Sequence, residues 1–194
     1  MAMTFVLTKL EKIRPGFNAC FIMRYLLEKA ESAGEALSLL MELPVASNCN
    51  ILLADRGGNM LVAECVPTFK RVREAEAFEG GSAVCAVNAF TSDETRPYDD
   101  SLGNDYNSGE RYRVVMEACK NHMGEDPVED AQRLLRGEWG FMCQYDNEPD
   151  FETVWSSVFD LSGLSIRRAE GDPRKKPFIT DDRLRRVAGS SRAN

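Results

Sequence analysis

Two β-rich runs, Asn50 to Asp55 and Met60 to Val66, flank Arg56-Gly57-Gly58-Asn59, a turn whose glycines can take the positive φ that a tight hairpin needs. Pro67 closes the second run, since it brings no N–H to a ladder. This hairpin commits the middle of the chain to an antiparallel sheet, and the flanking segments must cover it. Phe69 to Arg73 and Ser82 to Val87 continue the β pattern; the second is small and apolar enough for the middle of a sheet. Gly80 and Gly81 after Glu79 read as the turn into it, because a phosphate loop would need a helix to follow.

Upstream, Met3 to Thr8 alternates Phe5 and Leu7 with smaller residues, an opening strand with nothing before it to pair with. Asn18 is placed to cap a helix with Ile22, Tyr25, Leu26 and Ala30 on one face. Ser32 and Glu35 form a capping box over a second helix, Ala36, Leu37, Leu40 and Met41 supply its stripe, and Pro44 ends it. Downstream, Thr91 to Asn107, with Asp93, Glu94, Asp99, Asp100 and Asp105, reads as a solvated loop. Asn107 and Glu110 can cap a helix carrying Tyr112, Val115, Met116 and Cys119 on one face. Asp126, Pro127 and Glu129 open another that Gly137 ends, and Thr153 to Asp160 with Leu164 to Arg168 form a last hairpin around Ser162 and Gly163. Strand, two helices, several strands, two helices and a hairpin describe segregated α+β layers, not alternating βαβ units. We expect one domain over residues 1–170 and a basic, apolar-poor, loosely held tail over 171–194.

The formal charge of -7 gives no reason to expect affinity for phosphate backbones, so nucleic acid is not an expected partner. No apolar run reaches the ~18 residues of a membrane helix, and the first residues lack the layout of a signal peptide, so the expectation is a cytoplasmic protein without a membrane partner. Six cysteines (Cys20, Cys49, Cys65, Cys85, Cys119 and Cys143) form no CxxC pair and read as mostly buried thiols. Cys119 with His122, the sole histidine, is no metal site without further ligands, and neither metal nor cofactor is expected.

No GxSxG, HExxH or P-loop motif is present. Taken alone, Asn88 is a strand-end asparagine of the kind that bonds its own turn. Arg111 falls in the first turn of a helix, where a cation facing the positive dipole end costs roughly 0.3 to 1 kcal/mol, so a negative partner is expected. Glu110 or the acidic loop could supply it; Arg113 points in another direction on the helix. Asp55 and Glu64 belong to the central hairpin and read as structural acids, not a catalytic pair.

In order along the chain come Arg24-Tyr25-Leu26-Leu27-Glu28 with Glu35-Ala36-Leu37, then Leu53-Ala54-Asp55-Arg56-Gly57-Gly58 leading to Val62-Ala63-Glu64-Cys65-Val66-Pro67. Val87-Asn88-Ala89-Phe90, Ser108-Gly109-Glu110-Arg111-Tyr112 and Thr153-Val154-Trp155-Ser156 to Asp160 follow. Together, over about Arg24 to Asp160, they resemble the choloylglycine hydrolase and penicillin acyltransferase group of N-terminal-nucleophile hydrolases. The resemblance implies an αββα sandwich that cleaves linear amides with an N-terminal cysteine, whose own α-amino group, of pKa roughly 7.7 to 8, serves as base. It implies Asn88 as a donor to the oxyanion of the tetrahedral intermediate and Arg111 as the cation that lowers the thiol pKa.

The chain begins Met1-Ala2-Met3-Thr4, with no cysteine there. The expectation is therefore an incomplete sandwich, the C-terminal part of an amidase or acyltransferase whose thiol comes from a missing N-terminal segment or a second chain. Cys20, at the start of a helix, is a poor substitute. The alternative is a non-catalytic binding or assembly module on the same fold. The expected partner is a small-molecule amide or acyl substrate, and a homo-oligomer is left open.

Overall fold

The central hairpin forms as expected, inside the first of two units. The computed structural model describes residues 1–101, 106–144 and 152–183, and the chain divides into residues 1–120 and 121–194. In the first unit β1 (Ala2–Phe5), β2 (Cys49–Ala54), β3 (Met60–Val66) and β4 (Phe69–Glu74) make one antiparallel sheet in the order β1-β2-β3-β4. The opening strand does find a partner, in β2, with Met3 opposite Ile51 and Phe5 opposite Cys49. Gly58 takes φ 88° in the β2–β3 turn, where the Asp55 carboxylate accepts the backbone N–H groups of Gly57 (2.9 Å) and Asn59 (3.2 Å). Asp55 also accepts the Ala33 N–H at 3.0 Å, and this bond leads the set that holds its carboxyl below the ordinary value.

Strand alternation gives the sheet two unlike faces. Cys49, Ile51, Leu53, Ala63 and Cys65 pack against α1 (Ala19–Lys29) and α2 (Ala33–Glu42), whose Ile22, Leu26, Ala36 and Leu40 complete the core. Asn18 caps α1 by accepting the Cys20 N–H at 2.9 Å. Ser32 accepts the Glu35 N–H at 3.2 Å, while the Glu35 carboxylate takes the Glu31 N–H at 2.9 Å, one residue earlier than the expected box. Tyr25 and Met41, expected in the buried stripes, stay 39% and 47% exposed because Ala19 and Ala33 take the facing positions.

The opposite face carries Thr4, Asn50, Val62, Glu64 and Arg73. Against expectation, Ser82 to Val87 does not lie in this sheet. Only β6 (Gly81–Ala83) is a strand, and it pairs with β5 (Glu76–Phe78) in a separate two-stranded sheet. Beyond Ala83, side chains of the larger sheet bind the backbone in place of a ladder: Arg73 donates to the Cys85 carbonyl at 2.7 Å, and Thr4 and Asn50 donate to that of Val87 at 2.6 and 2.8 Å.

The Thr91 to Asn107 loop also departs from expectation, being docked over much of its described length. Thr95 and Asp100 are buried, Asp99 accepts the Phe90 N–H at 3.2 Å, and Asp100 accepts the Lys9 N–H at 3.0 Å. Asp99 and Asp100 serve as backbone acceptors, which composition alone does not reveal, while Asp93 and Glu94 stay exposed as expected, paired with Arg96 and Arg71; Asp105 lies outside the described residues. α3 (Ser108–Asn121) follows, with Met116 buried and Tyr112, Val115 and Cys119 packed beside Ala83, Cys85 and Val87, the expected face. Asn107 precedes it as a left-handed residue at φ 57°, and its carbonyl accepts the Arg111 N–H at 3.0 Å.

In the second unit α4 (Pro127–Leu135) is capped by Asp126, which accepts the Glu129 N–H at 3.0 Å, and Gly137 ends it at φ 77°. β7 (Trp155–Asp160) and β8 (Ser165–Glu170) form the expected hairpin, with Leu164 at φ 50° in its turn. β9 (Ile179–Thr180) adds a third strand beside β8, and Phe178 is buried with Val158, Ala169 and α4 residues. Within residues 171–183 Asp172 gathers Arg174 by backbone and side-chain bonds of 2.9 to 3.2 Å, and the buried Phe178 follows six residues after Asp172. The rest of the expected tail, 184–194, lies outside the described residues. Among the described residues no helix is long and apolar enough to cross a membrane.

Candidate active site

Asn88 sits where the backbone leaves the face of the four-stranded sheet. Its Nδ2 donates to the Phe5 carbonyl at the end of β1, at 3.0 Å, and its Oδ1 accepts from Arg111 Nη2, also at 3.0 Å. The two residues singled out from the sequence are thus in direct contact. Arg111 reaches Asn88 from the first turn of α3; its Nε donates to the Tyr106 carbonyl at 3.1 Å and its Nη2 also to Ser108 Oγ at 3.4 Å. Arg113 turns away and pairs with Glu117 at 3.0 Å. Tyr106 and Asn107 are consecutive left-handed residues, at φ 54° and 57°. For the tyrosine that conformation costs about 1 kcal/mol or more. The strain aims the Tyr106 carbonyl at the guanidinium.

A guanidinium on Oδ1 polarises the carboxamide, which makes its N–H groups better donors. Phe5 engages one Nδ2 hydrogen; the second has no partner among the described residues. The pair combines a positive charge with a fixed amide donor, a combination suited to binding or stabilising an anion.

Glu64 is the charged centre of the surroundings. The side chain is fully buried and accepts from Arg73 Nε (2.8 Å), the Thr91 N–H (2.9 Å) and hydroxyl (2.7 Å), the Ser92 N–H (3.2 Å) and the Thr95 hydroxyl. Burial alone would raise its pKa, but the bonds from Thr95, Thr91 and Arg73 outweigh that and bring it down to about 2. Glu64 is therefore an anchored anion and, as expected, no partner of Asp55 in acid–base work. Sequence reasoning set it aside and passed over Asn50. The signal was there: each is a lone polar residue inside an apolar strand run, Cys49-Asn50-Ile51-Leu52-Leu53 and Leu61-Val62-Ala63-Glu64-Cys65-Val66.

Cys85 comes nearest to this setting. Burial pushes its thiol up to about 11, with Arg73 and Arg111 pulling weakly the other way, so it is un-ionised at neutral pH. Burial also raises Cys119 and Cys143, and Cys65 is raised by its cross-strand contact with Cys49 together with burial. Cys20 is exposed on α1, on the helix-covered side of the sheet, opposite Asn50 and Glu64. His122 stacks on Trp139 with ring centroids 5.0 Å apart. Among the described residues no three His, Cys, Asp or Glu side chains converge as metal ligands would.

Helices on antiparallel sheets, with a guanidinium-bound carboxamide at one edge, make this an α+β protein. The family model described as acyl-coenzyme A:6-aminopenicillanic acid acyl-transferase matches residues 1–175, and the chain belongs to that family, which is of the N-terminal-nucleophile hydrolase type. No curated protein matches the chain.

Proposed function

We propose that this chain supplies the electrostatic half of an acyl-transfer centre, in an amidase or acyltransferase acting on linear amide C–N bonds. A cysteine thiolate from outside these 194 residues attacks the acyl carbon, the amine leaves, and water or a second amine resolves the acyl-enzyme. Asn88 donates its remaining amide hydrogen to the oxyanion of the tetrahedral intermediate, and Arg111 holds that amide in place while favouring the thiolate. The observation that carries this reading is the 3.0 Å bond from Arg111 Nη2 to Asn88 Oδ1. An external thiol is supported by the chain's own cysteines: Cys65, Cys85, Cys119 and Cys143 are held as neutral thiols, Cys49 is buried in the core beneath α1 and α2, and Cys20 lies on the far side of the sheet.

The test compares hydrolysis of a chromogenic acyl amide by the 194 residues alone and by the chain joined to whatever its gene encodes directly upstream. The expected result is turnover only in the extended protein, with Asn88→Ala lowering kcat by about 10²- to 10³-fold. Turnover by the 194 residues alone, abolished by Asn88→Ala, would overturn the external thiol. Extended protein indifferent to Asn88→Ala would overturn the role of Asn88.

A further inference from the structure

We propose that Asn50 and Glu64, cross-strand neighbours on β2 and β3, are positioning residues that fix the Asn88–Arg111 pair through the backbone on either side of Asn88. The register places the two side chains opposite each other on the face turned away from α1 and α2. Asn50 donates both amide hydrogens, to the Val87 carbonyl at 2.8 Å and the Ala89 carbonyl at 3.0 Å, and so straddles Asn88. Thr4, opposite Asn50 on β1, adds a second donor to the Val87 carbonyl at 2.6 Å. Glu64 holds the continuation, binding Thr91, Ser92 and Thr95. The backbone is thus pinned immediately before and after Asn88 and again three residues later.

The same carboxylate reaches toward Arg111. Glu64 holds Arg73, which bonds the Cys85 carbonyl at 2.7 Å and lies over the Tyr112 ring at 5.9 Å, one residue beyond Arg111 on α3. Both members of the pair are therefore referenced to one rung of one sheet, the kind of support that holds a reacting geometry to within fractions of an ångström.

The Asn50 amide carries a cost that argues for this assignment. Its Oδ1 is buried with no hydrogen-bond partner among the described residues, and turning the amide over would set that oxygen against two carbonyls. Asn50 therefore keeps an unsatisfied acceptor in order to present two donors to one short stretch of backbone. A serine or threonine there has only one hydrogen to give.

The inference rests on the catalytic reading for its purpose, but its test reads geometry and needs no turnover. In ¹⁵N-labelled 194-residue chain, Thr4→Val and Thr95→Val each remove one hydroxyl donor at nearly constant shape, while Thr4→Ser and Thr95→Ser keep it. The expected result is displaced Asn88 side-chain amide signals in both valine variants and roughly fivefold faster exchange of the Thr91 and Ser92 amides in Thr95→Val. The serine variants should restore the wild-type positions, and the Ile22 and Leu26 methyl signals should stay unmoved throughout. Asn88 signals that ignore both valine variants, or that move only together with the Ile22 and Leu26 core, would overturn the positioning role. Failure of the catalytic reading would appear separately, as an extended enzyme whose turnover does not depend on Asn88.

Discussion

Protonating Glu64 should release the strap of backbone that carries Asn88, and the acid limb of the stability curve measures how strongly it is held. The carboxyl lies at about 2 where 4.5 is ordinary, despite full burial. At about 1.4 kcal/mol per pH unit, that gap corresponds to about 3 kcal/mol favouring the folded chain. A folded-state pKa below the unfolded one gives stability that is fully present above about pH 4.5 and lost as the pH falls toward 2. Glu64→Gln cannot titrate and leaves Arg73 without its buried counter-charge, so at pH 7 the variant should be less stable by about 3 to 5 kcal/mol. The gap between wild type and variant should then narrow on acidification, by about 2 kcal/mol at pH 3. Urea unfolding followed by circular dichroism at pH 7, 5, 4 and 3 gives that difference directly, because the other carboxylates titrate in both proteins. A gap of the same size at pH 3 and pH 7 would mean that Glu64 is not an anchored anion in the folded state.

Gly16→Ala should destabilise the first unit by about 1 to 3 kcal/mol, because a Cβ there would meet backbone atoms of Pro44, Val45 and Ala46 at 2.8 to 2.9 Å; thermal melting measures it. Asp126→Ala should cost about 1 kcal/mol through loss of the α4 cap and leave the first unit unchanged, as hydrogen exchange in the two units can show. With a thiol reagent at neutral pH, Cys20 should react first, and Cys49, Cys65, Cys85 and Cys143 only on unfolding; a buried cysteine labelled as fast as Cys20 would contradict the packing described.

The parts of the fold governed by local chemistry could be read in the sequence. The β2–β3 turn needs Gly58, Asn18 and Asp126 have side chains of the right length to cap, and Pro44 cannot continue a helix; each acts within a few residues. Long-range bonding was illegible. The Ser82 to Val87 segment has the composition of a central strand, yet Arg73, Thr4 and Asn50 occupy its carbonyls, and no periodicity encodes a contact spanning 83 residues. Two acids of the following loop looked solvated for the same reason: Asp99 and Asp100 face backbone N–H groups that only folding brings near. Of the candidate site, Asn88 and Arg111 were singled out by resemblance, and what the structure adds is their direct contact. Asn50 and Glu64 were visible only as polar interruptions of apolar strands, a pattern that marks burial without naming the partner.

If, as proposed, Asn88 and Arg111 serve a thiol supplied from outside these 194 residues, intact-mass analysis of the acyl-enzyme will locate it. The extended protein, mixed with an acyl amide and quenched, should gain one acyl group on an upstream cysteine, and Asn88→Ala and Arg111→Ala should each slow that gain. An acyl group on Cys20, Cys85 or any other cysteine of these 194 residues, or acylation at an unchanged rate in both variants, would contradict the proposal.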